Sequence, residues 1–457
     1  MKKNIEQIRP HHLLFGIVIL GAFFRLYKID YQSLWLDELY SIIPTAPENS
    51  IQSIIEHCKT DQPPFFFLFI HSVFRFFPYN EITGRIACAI IGLISIVVIY
   101  FLGSEIKNRE AGLFASFLCA INFFHIFYSQ ELRFYSMAFL LSSVSYLFFI
   151  KACRNPKTRN LFLYAVSTVA LLYTHYFGLL IFGAQGFTFI YLIIKDKNYQ
   201  LARFGIITGL LVLLAFSPWI PTLIADSKVN SFWIKAPKIY FLAEYFYDYT
   251  GKDAATTIIF IFLIVLFFKN FTFNKSDSNS FIVLMLWMII SYAVPYLWSI
   301  ARVPILHDRY TIVVLPAWFL LTSLGWEKLK SVPLKYTLTS ALFVSLLINL
   351  TFFKKHYTRI TKDQYRECSL FVINNNKQHY PIYAPDPLSW HFNYYFRNET
   401  NKVTSIDERK SSGNCWLLQS HFSVKERETS LKMLSNEYII LEKHTFFKAE
   451  AILMQHK

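Results

Sequence analysis

Long, almost uncharged apolar runs recur along most of this chain and constrain its fold more than any other feature. Residues 257–268, 281–300 and 336–353 are examples, and about 20 consecutive apolar residues suffice to cross a bilayer. Only 16% of the residues are charged, against about 25% in soluble proteins. The sequence therefore predicts an α-helical polytopic membrane protein.

Twelve apolar segments follow one another before residue 354. Their bounds are 11–27, 64–78, 85–103, 112–128, 134–152, 160–176, 177–194, 204–222, 255–268, 280–299, 310–326 and 335–353. Segment 64–78 is short and opens with Pro63-Pro64, so we expect a re-entrant or interfacial helix there. Eleven crossings then remain, within an expected range of about 11–13 transmembrane helices. An additional crossing elsewhere, which the apolar pattern does not reveal, would account for the expected topology equally well.

The basic residues indicate the orientation of these helices. The formal net charge is +15, but the charges cluster in short loops between apolar segments, as cytoplasmic loops require. No basic helix or aromatic-basic platform of a nucleic-acid-binding protein is present in the sequence. We therefore expect a cytoplasmic N-terminus, an uncleaved first helix and an extracytoplasmic C-terminus. The loops expected on the outer side are 28–63, 129–133, 223–254 and 301–309.

The composition becomes polar at residue 354, which predicts two domains. A transmembrane domain, 1–353, carries the first outer loop, 28–63, and a small extracytoplasmic α/β domain follows at 354–457. Short strands are expected at 381–384, 415–418 and 438–441, and helices at 362–374 and 424–434. Cys368 and Cys415 could pair there in an oxidising compartment, although their spacing alone is weak evidence.

Ionisable residues collect in the loops and helix ends of the expected outer side. They are Asp37, Glu38, Asp61, Arg85, Glu131, Arg133, His175, His307, Asp308 and Arg309. Carboxylates can remove a proton from an acceptor or hold a metal ion, and arginine binds phosphate through two parallel hydrogen bonds. The combination suits transfer from a lipid-phosphate donor to a hydroxyl or an amine.

Simpler explanations exist for individual residues. Asp37 and Glu38 would equally well cap a short surface helix, and Arg85 or Arg133 could extend to lipid headgroups. A histidine on an apolar face, such as His175, is more often a hydrogen-bonded core residue than a ligand. The spacing of these residues does not decide between the alternatives.

Eight short motifs follow one another across residues 20–320. They are Arg25-Leu26-Tyr27, Leu34-Trp35-Leu36-Asp37-Glu38, Asp61-Gln62-Pro63-Pro64, Gly84-Arg85, Tyr128-Ser129-Gln130-Glu131-Leu132-Arg133, Tyr173-Thr174-His175-Tyr176, Ser217-Pro218-Trp219 and Arg309-Tyr310. In this order they resemble the GT-C superfamily of polytopic glycosyltransferases. The likeness is to its protein-mannosyltransferase-like and lipid A aminoarabinose transferase-like members, which use polyprenyl-phosphate sugars. One departure is Gln62, which stands before Pro-Pro where the family usually has His or Lys.

The resemblance implies roles for the residues of these motifs. Asp37 would be the catalytic base of an inverting transfer, with Glu38 assisting or orienting the loop and Glu131 shaping the site. Three arginines, Arg85, Arg133 and Arg309, would bind the donor phosphate. A divalent metal ion is the implied cofactor, and its ligands would be Asp61 and His175.

The resemblance also implies the partners and the location. The donor would be a polyprenyl-phosphate sugar, the acceptor a lipid, a glycan or a protein, and the surroundings membrane lipids, with no nucleic acid involved. The location would be a bacterial-type cytoplasmic (inner) membrane. Two other functions remain open: a lipid-linked oligosaccharide ligase or polymerase, and a transporter or flippase of lipid-linked sugar. A transporter would be expected to carry internal repeats, and the sequence shows none.

Overall fold

The structure, a computed structural model, is mostly helical with one small sheet. It describes residues 10–60, 62–197, 199–229, 231, 233–271, 275–409, 413–421, 426–427, 431–432 and 434–457, apart from the side chains of 275–277. The helices are α1 (Pro10–Leu26), α2 (Leu36–Ile42), α3 (Ile51–Cys58), α4 (Phe65–Phe76), α5 (Glu81–Ile106), α6 (Arg109–Ile121), α7 (Phe123–Ser129), α8 (Tyr135–Arg154), α9 (Thr158–Leu172), α10 (Gly178–Asp196), α11 (Tyr199–Phe216), α12 (Ile220–Asp226), α13 (Phe241–Tyr249), α14 (Ala254–Lys269), α15 (Lys275–Ala301), α16 (Leu315–Glu327), α17 (Val332–Ile348), α18 (Tyr365–Asn375) and α19 (Leu388–Asn393). The strands are β1 (Ile382–Ala384), β2 (Val403–Ser405), β3 (Asn414–Ser420), β4 (Tyr438–Phe446) and β5 (Ala449–His456).

The helices confirm the polytopic fold expected from the apolar segments. Within the described ranges, seven helices are long and apolar enough to cross a membrane, or up to nine if each of two bent helix pairs counts as one span. Three shorter apolar helices, α1, α4 and α9, accompany them. The 12 residues of α4 extend about 18 Å, which is less than the roughly 30 Å of a hydrocarbon core. This length agrees with a re-entrant or interfacial helix.

Contacts divide the chain into two compact units. The helical unit consists of Met1–Tyr27, Ser50–Val73 and Arg85–His356. The sheet unit consists of Lys28–Asn49, Phe74–Gly84 and Tyr357–Lys457. A substantial part of the first loop therefore folds with the C-terminal residues, whereas the sequence assigned all of 1–353 to one domain. That sequence-based boundary stays a prediction.

A bend between α6 and α7 is the main irregularity of the helical unit that bears on the site. The two helices meet at 60°, where Asn122 caps α7 by accepting a hydrogen bond from the His125 backbone N–H (2.9 Å). The buried guanidinium of Arg25 donates to the last carbonyls of α6, those of Cys119 (2.9 Å) and Ala120 (3.0 Å), and to His125 Nδ1 (2.7 Å). A cation at a helix C-terminus satisfies its free carbonyls and opposes its dipole, so Arg25 stabilises the bend.

A five-stranded mixed sheet forms the core of the sheet unit, in the order β2-β1-β3-β5-β4. Strand β1 pairs in parallel with β2 and β3, and β5 pairs antiparallel with β3 and β4. Side chains such as Leu417, Ile452 and Met454 pack together on one side of it. The small C-terminal α/β domain expected from the sequence is thus confirmed.

The strands that we expected correspond to β1, β3 and β4, and the first expected helix corresponds to α18. Strands β2 and β5 were missed, and most of the helix expected at 424–434 lies outside the described residues. The pairing suggested for Cys368 and Cys415 is wrong in this structure, since both are buried free thiols.

Candidate functional site

The first carboxylate pair lies at the start of α2, in the sheet unit. Glu38 is fully buried and its Oε2 accepts a hydrogen bond from the Trp35 backbone N–H (3.4 Å) at the start of α2. Asp37 precedes it and is only half-buried. The structure thus separates the two neighbours, because Glu38 holds the helix start while Asp37 keeps contact with solvent.

The buried Glu38 carboxylate has a cationic partner near the start of α18. Lys362 Nζ donates to Glu38 Oε2 at 2.9 Å, and the Lys362 side chain is only 10% exposed. The backbone N–H of Lys362 also donates to Gln32 Oε1 (2.9 Å). Removing one member of such a buried pair leaves an uncompensated charge, so Lys362 fixes the start of α2.

Arg366, in the first turn of α18, connects the same loop to Glu81. Its guanidinium donates to the Glu81 carboxylate (3.0 Å) and to the backbone carbonyls of Asp30 (3.1 Å) and Tyr31 (3.3 Å). The guanidinium therefore binds residues from two separate stretches of the sheet unit. Neither Lys362 nor Arg366 was singled out from the sequence, because their partners lie far away along the chain and leave no local pattern.

In the helical unit, the loop that carries Glu131 and Arg133 follows α7 directly. Gln130 anchors it: Nε2 donates to the carbonyls of Arg25 (3.1 Å) and Tyr27 (3.3 Å), and Oε1 accepts from His356 Nε2 (2.7 Å). Glu131 is 1% exposed. The loop is thereby fixed against the end of α1, which places Glu131 within the protein rather than on its surface.

Arg309 lies among aromatic rings at the end of the loop before the 3₁₀ helix Tyr310–Val314. Its guanidinium carbon is 4.6 Å from the centre of the Trp233 ring, 5.7 Å from that of Tyr310 and 5.8 Å from that of Tyr135. Cations are attracted to the faces of such rings. The rings therefore hold the guanidinium in place without neutralising its charge.

Two arginines, Arg133 and Arg309, affect the pKa of His175. The Phe134 ring lies close to both His175 and Arg133, and the Tyr310 ring lies close to both His175 and Arg309. The Arg133 guanidinium is 4.8 Å from the Phe134 ring centre, and the His175 ring centre is 4.9 Å from that of Phe134 and 5.1 Å from that of Tyr310. Burial, together with the positive charges of the two arginines, lowers the pKa of His175 to about 3. The imidazole is thus neutral at physiological pH.

The tautomer of His175 follows from one backbone contact. The Phe177 backbone N–H donates to His175 Nδ1 at 3.0 Å, so Nδ1 has no proton and Nε2 carries one. That buried Nε2–H has no hydrogen-bond partner among the described residues. An N–H group beside two guanidinium groups is suited to an anion such as a phosphate oxygen.

Two carboxylates accompany these cations. Glu131, Asp308 and Arg309 all interact electrostatically with Tyr128, so they share one region of the helical unit. Burial works to raise the pKa of Asp308, but the hydrogen bond from His307 and the charges of His307 and Arg309 keep that pKa below its usual value. Asp308 is therefore ionised and partly balances Arg309.

Arg85 is 1% exposed and lies near the start of α5. Cys88 is three residues further along the same helical face, and its Sγ contacts the Arg133 carbonyl at 3.9 Å. The face of α5 that carries Arg85 thus packs against the loop that carries Arg133. The three predicted phosphate-binding arginines all belong to the helical unit.

The residues described around His175 do not fit a metal ion. Its Nε2 carries a proton, its Nδ1 accepts a backbone hydrogen bond, and its charged neighbours Arg133 and Arg309 would repel a cation. No group of three or more His, Cys, Asp or Glu side chains suited to a metal occurs in the part of the chain that the structure describes. Asp61, the other predicted ligand, lies outside that part, so the metal site stays a prediction.

Comparisons with known proteins agree with this architecture. The family model of dolichyl-phosphate-mannose-protein mannosyltransferases matches residues 61–221. The crystal structure of ArnT from Cupriavidus metallidurans bound to undecaprenyl phosphate is similar with a TM-score of 0.65 and 12% identity, covering 97% of each chain. The apo form of that protein gives the same TM-score at 11% identity. A search of curated proteins gave no match.

A second solved relative is the archaeal oligosaccharyltransferase AglB from Archaeoglobus fulgidus, in complex with an inhibitory peptide and a dolichol-phosphate. The TM-score is 0.59 at 9% identity, covering 94% of this chain and 69% of that one. At such identities the likeness establishes the fold. The chain shares the fold of ArnT and AglB, and the family model over residues 61–221 supports the resemblance expected from its motifs.

Proposed function

We propose that this protein transfers a sugar from a polyprenyl-phosphate donor to an acceptor hydroxyl on the outer side of a bacterial-type cytoplasmic membrane. The observation that carries the proposal is the convergence of Arg133, Arg309 and the His175 Nε2–H in the helical unit. Two guanidinium groups and one N–H can bind several oxygens of a phosphate monoester. The solved ArnT and AglB complexes, which contain undecaprenyl phosphate and a dolichol-phosphate, support a donor of this class.

The reaction follows from the chemistry of these groups. Asp37 accepts the proton of the acceptor hydroxyl, whose oxygen forms a bond to the anomeric carbon of the sugar. The bond from that carbon to the phosphate oxygen breaks, the electron pair leaves with the polyprenyl phosphate, and the configuration at the carbon inverts. Arg85, Arg133 and Arg309 stabilise the additional negative charge on the departing phosphate, which is worth a few kcal/mol per well-placed donor.

The half-buried position of Asp37 and the buried ion pair of Glu38 support this division of roles. A base must accept and release a proton, whereas a carboxylate bound to an ammonium group is poorly basic. Glu38 therefore orients α2 within the sheet unit, and Glu131 shapes the proposed phosphate-binding region of the helical unit. No step of this mechanism needs the predicted metal ion.

The test replaces Asp37 in the full-length protein and measures transfer from labelled polyprenyl-phosphate sugars in membranes. We expect Asp37→Asn to lower kcat at least 1,000-fold, because an amide cannot accept the proton, with unchanged membrane insertion. Glu48→Gln is the control, since it removes an exposed carboxylate from the same loop and should leave the rate within twofold. Substantial turnover by Asp37→Asn would contradict the assignment.

The same assay separates the proposal from its nearest alternative. A monosaccharide on a monophosphate lipid should serve as donor, whereas an oligosaccharide on a diphosphate lipid should not. Transfer of a whole diphosphate-linked glycan would establish a ligase or polymerase instead. Movement of label across the membrane without a new covalent product would establish a transporter.

A further inference from the structure

The sheet unit contains an aromatic and charged cluster beside Asp37 that the proposed reaction does not use. Tyr40 lies three residues after Asp37 on α2, so the two side chains share one face of the helix. The Tyr40 ring centre is 5.5 Å from that of Trp390 and 5.0 Å from that of His391, both on α19. Trp390 stays 36% exposed. The two large rings thus form a partly open apolar platform one helical turn from the proposed base.

A histidine–aspartate pair lies near Asp37 as well. His421 Nδ1 donates to Asp363 Oδ2 (3.1 Å), and Lys448 Nζ lies 3.5 Å from the other oxygen of the same carboxylate. Asp363 is 3% exposed, whereas the His421 side chain is 45% exposed. The buried carboxylate thus fixes a ring that remains accessible to solvent.

His421 is held in an unusual backbone conformation. Its φ is +65°, a left-handed value that non-glycine residues seldom adopt, and such strain is concentrated at binding and active sites. The His421 backbone N–H and the Ser420 hydroxyl both donate to the Lys448 carbonyl (3.2 and 3.1 Å). The position of the ring therefore depends on the turn after β3 and on the turn before β5.

Electrostatic interactions connect the aromatic platform, the His421–Asp363 pair and Asp37. The hydrogen bond to Asp363 raises the pKa of His421 against the effect of burial, and the charge of Asp37 contributes to the increase. Burial, followed by the charge of His421, lowers the pKa of His391 to about 4. His421 thus lies within electrostatic range of both Asp37 and His391.

We propose that Tyr40, Trp390 and the His421–Asp363 pair form a carbohydrate-binding subsite for the acceptor, next to Asp37. Aromatic rings pack against the apolar C–H face of a sugar ring, and neighbouring charged groups exchange hydrogen bonds with its hydroxyls. The inference rests on the proposed function and specifies its acceptor as a glycan or glycolipid.

The balance of charges favours a neutral sugar over an anion. Asp363 binds both His421 and Lys448, the charge of Asp37 also acts on His421, and Glu38 binds Lys362, so three carboxylates face three cations. A phosphate would require cations whose charge is not already compensated. A polyhydroxylated ring needs donors and acceptors in similar numbers, and this cluster presents both.

The first experiment measures binding without any transfer. Saturation-transfer NMR on the full-length protein uses a panel of methyl glycosides (glucoside, galactoside, mannoside and N-acetylglucosaminide) as probes. We expect at least one probe to bind wild-type protein and Trp390→Ala to raise its Kd at least tenfold, with partial rescue by Trp390→Phe. Leu441→Ala removes an exposed apolar side chain from the same unit and should bind like wild type. A wild-type protein that binds none of the probes overturns the inference.

The second experiment measures transfer and separates the two proposals. With a sugar-bearing acceptor, we expect Trp390→Ala to raise the acceptor KM at least tenfold and to leave the Kd for polyprenyl phosphate within twofold. We expect His421→Gln to raise the same KM. Efficient transfer to a serine or threonine peptide with no effect of Trp390→Ala overturns the subsite alone. Absence of transfer to every acceptor, with glycoside binding intact, overturns the proposed function and supports the subsite.

Discussion

The protonation state of one histidine, His175, determines what kind of ligand it and its neighbours can bind. His175 accepts a backbone hydrogen bond at Nδ1, so its proton lies on Nε2. The Nε2–H can donate to an anion but cannot coordinate a metal ion. The sequence identified His175, Arg133 and Arg309 through separate motifs, but it could not show that they meet. The sequence also suggested a metal ligand, because a motif gives the residue type and not the protonation state of the ring.

For binding of the donor, we expect the planar shape of the Arg309 guanidinium to matter more than its charge. Arg309→Lys keeps the charge but loses the paired donors and the contacts with aromatic rings, so we expect the donor KM to rise at least tenfold with a small effect on the acceptor KM. Arg302→Lys is the matched control, because Arg302 is exposed and should behave as wild type. Steady-state kinetics with varied donor provide the measurement, and unchanged donor KM in Arg309→Lys would refute its phosphate-binding role.

The pKa of His175 predicts a loss of stability in acid. The unfolded chain takes up a proton at this residue below about pH 6.5, but the folded protein does not do so until about pH 3. The contribution of His175 to the unfolding free energy is therefore complete above pH 6.5, and it falls by up to about 1.4 kcal/mol per pH unit towards pH 3.

Thermal unfolding between pH 7 and pH 4 tests this prediction. His175→Gln should flatten the decline of Tm with acidification, whereas His379→Gln, which alters an exposed histidine, should not. Parallel declines in wild type and His175→Gln would show that the buried imidazole does not cause the acid sensitivity.

At the scale of elements, the position and stability of α2 depend on residues near the start of α18. We expect Lys362→Met to destabilise the protein by about 3–5 kcal/mol, because Glu38 would remain charged and buried. Activity should fall with stability, since α2 carries Asp37. Thermal unfolding and kcat are the measurements, and Lys377→Met, on an exposed lysine, is the control.

The double variant Glu38→Gln with Lys362→Met sharpens this test. Removing both charges should restore at least half of the stability lost by Lys362→Met alone. If the double variant is no more stable than the single one, the ion pair is not the reason for the loss.

Element types were predictable to the extent that periodicity and length reveal them. The long apolar helices were recognised because hydrocarbon requires uncharged segments of sufficient length. Strand β5 was missed because its short run Ala451-Ile452-Leu453-Met454 is apolar on both faces and lacks the alternation of a half-buried strand. The contacts of Lys362 and Arg366 with the first loop involve distant parts of the chain, so no local pattern could indicate them.

At the scale of the whole molecule, the charge distribution predicts an extracytoplasmic C-terminus. We expect a cysteine introduced by Glu399→Cys to react with a membrane-impermeant maleimide in intact cells. A cysteine introduced by Lys330→Cys should react only after permeabilisation. Both positions are exposed, and the wild-type protein, whose six cysteines are largely buried, gives the background. Labelling of Lys330→Cys in intact cells would contradict the predicted orientation of the protein in the membrane.

The ion pair between Glu38 and Lys362 also determines when the first loop can reach its final structure. Their positions differ by 324 residues, which a ribosome takes roughly 15–65 seconds to add at about 5–20 residues per second. During this interval α2 has been synthesised but Lys362 has not, and the strand that follows Lys448 is made later still. Nascent chains that end before residue 362 would therefore insert their helices and still lack an ordered Asp37. The proposed activity should therefore appear only near the end of translation, once the sheet unit, which contains both the first loop and the C-terminal residues, is complete.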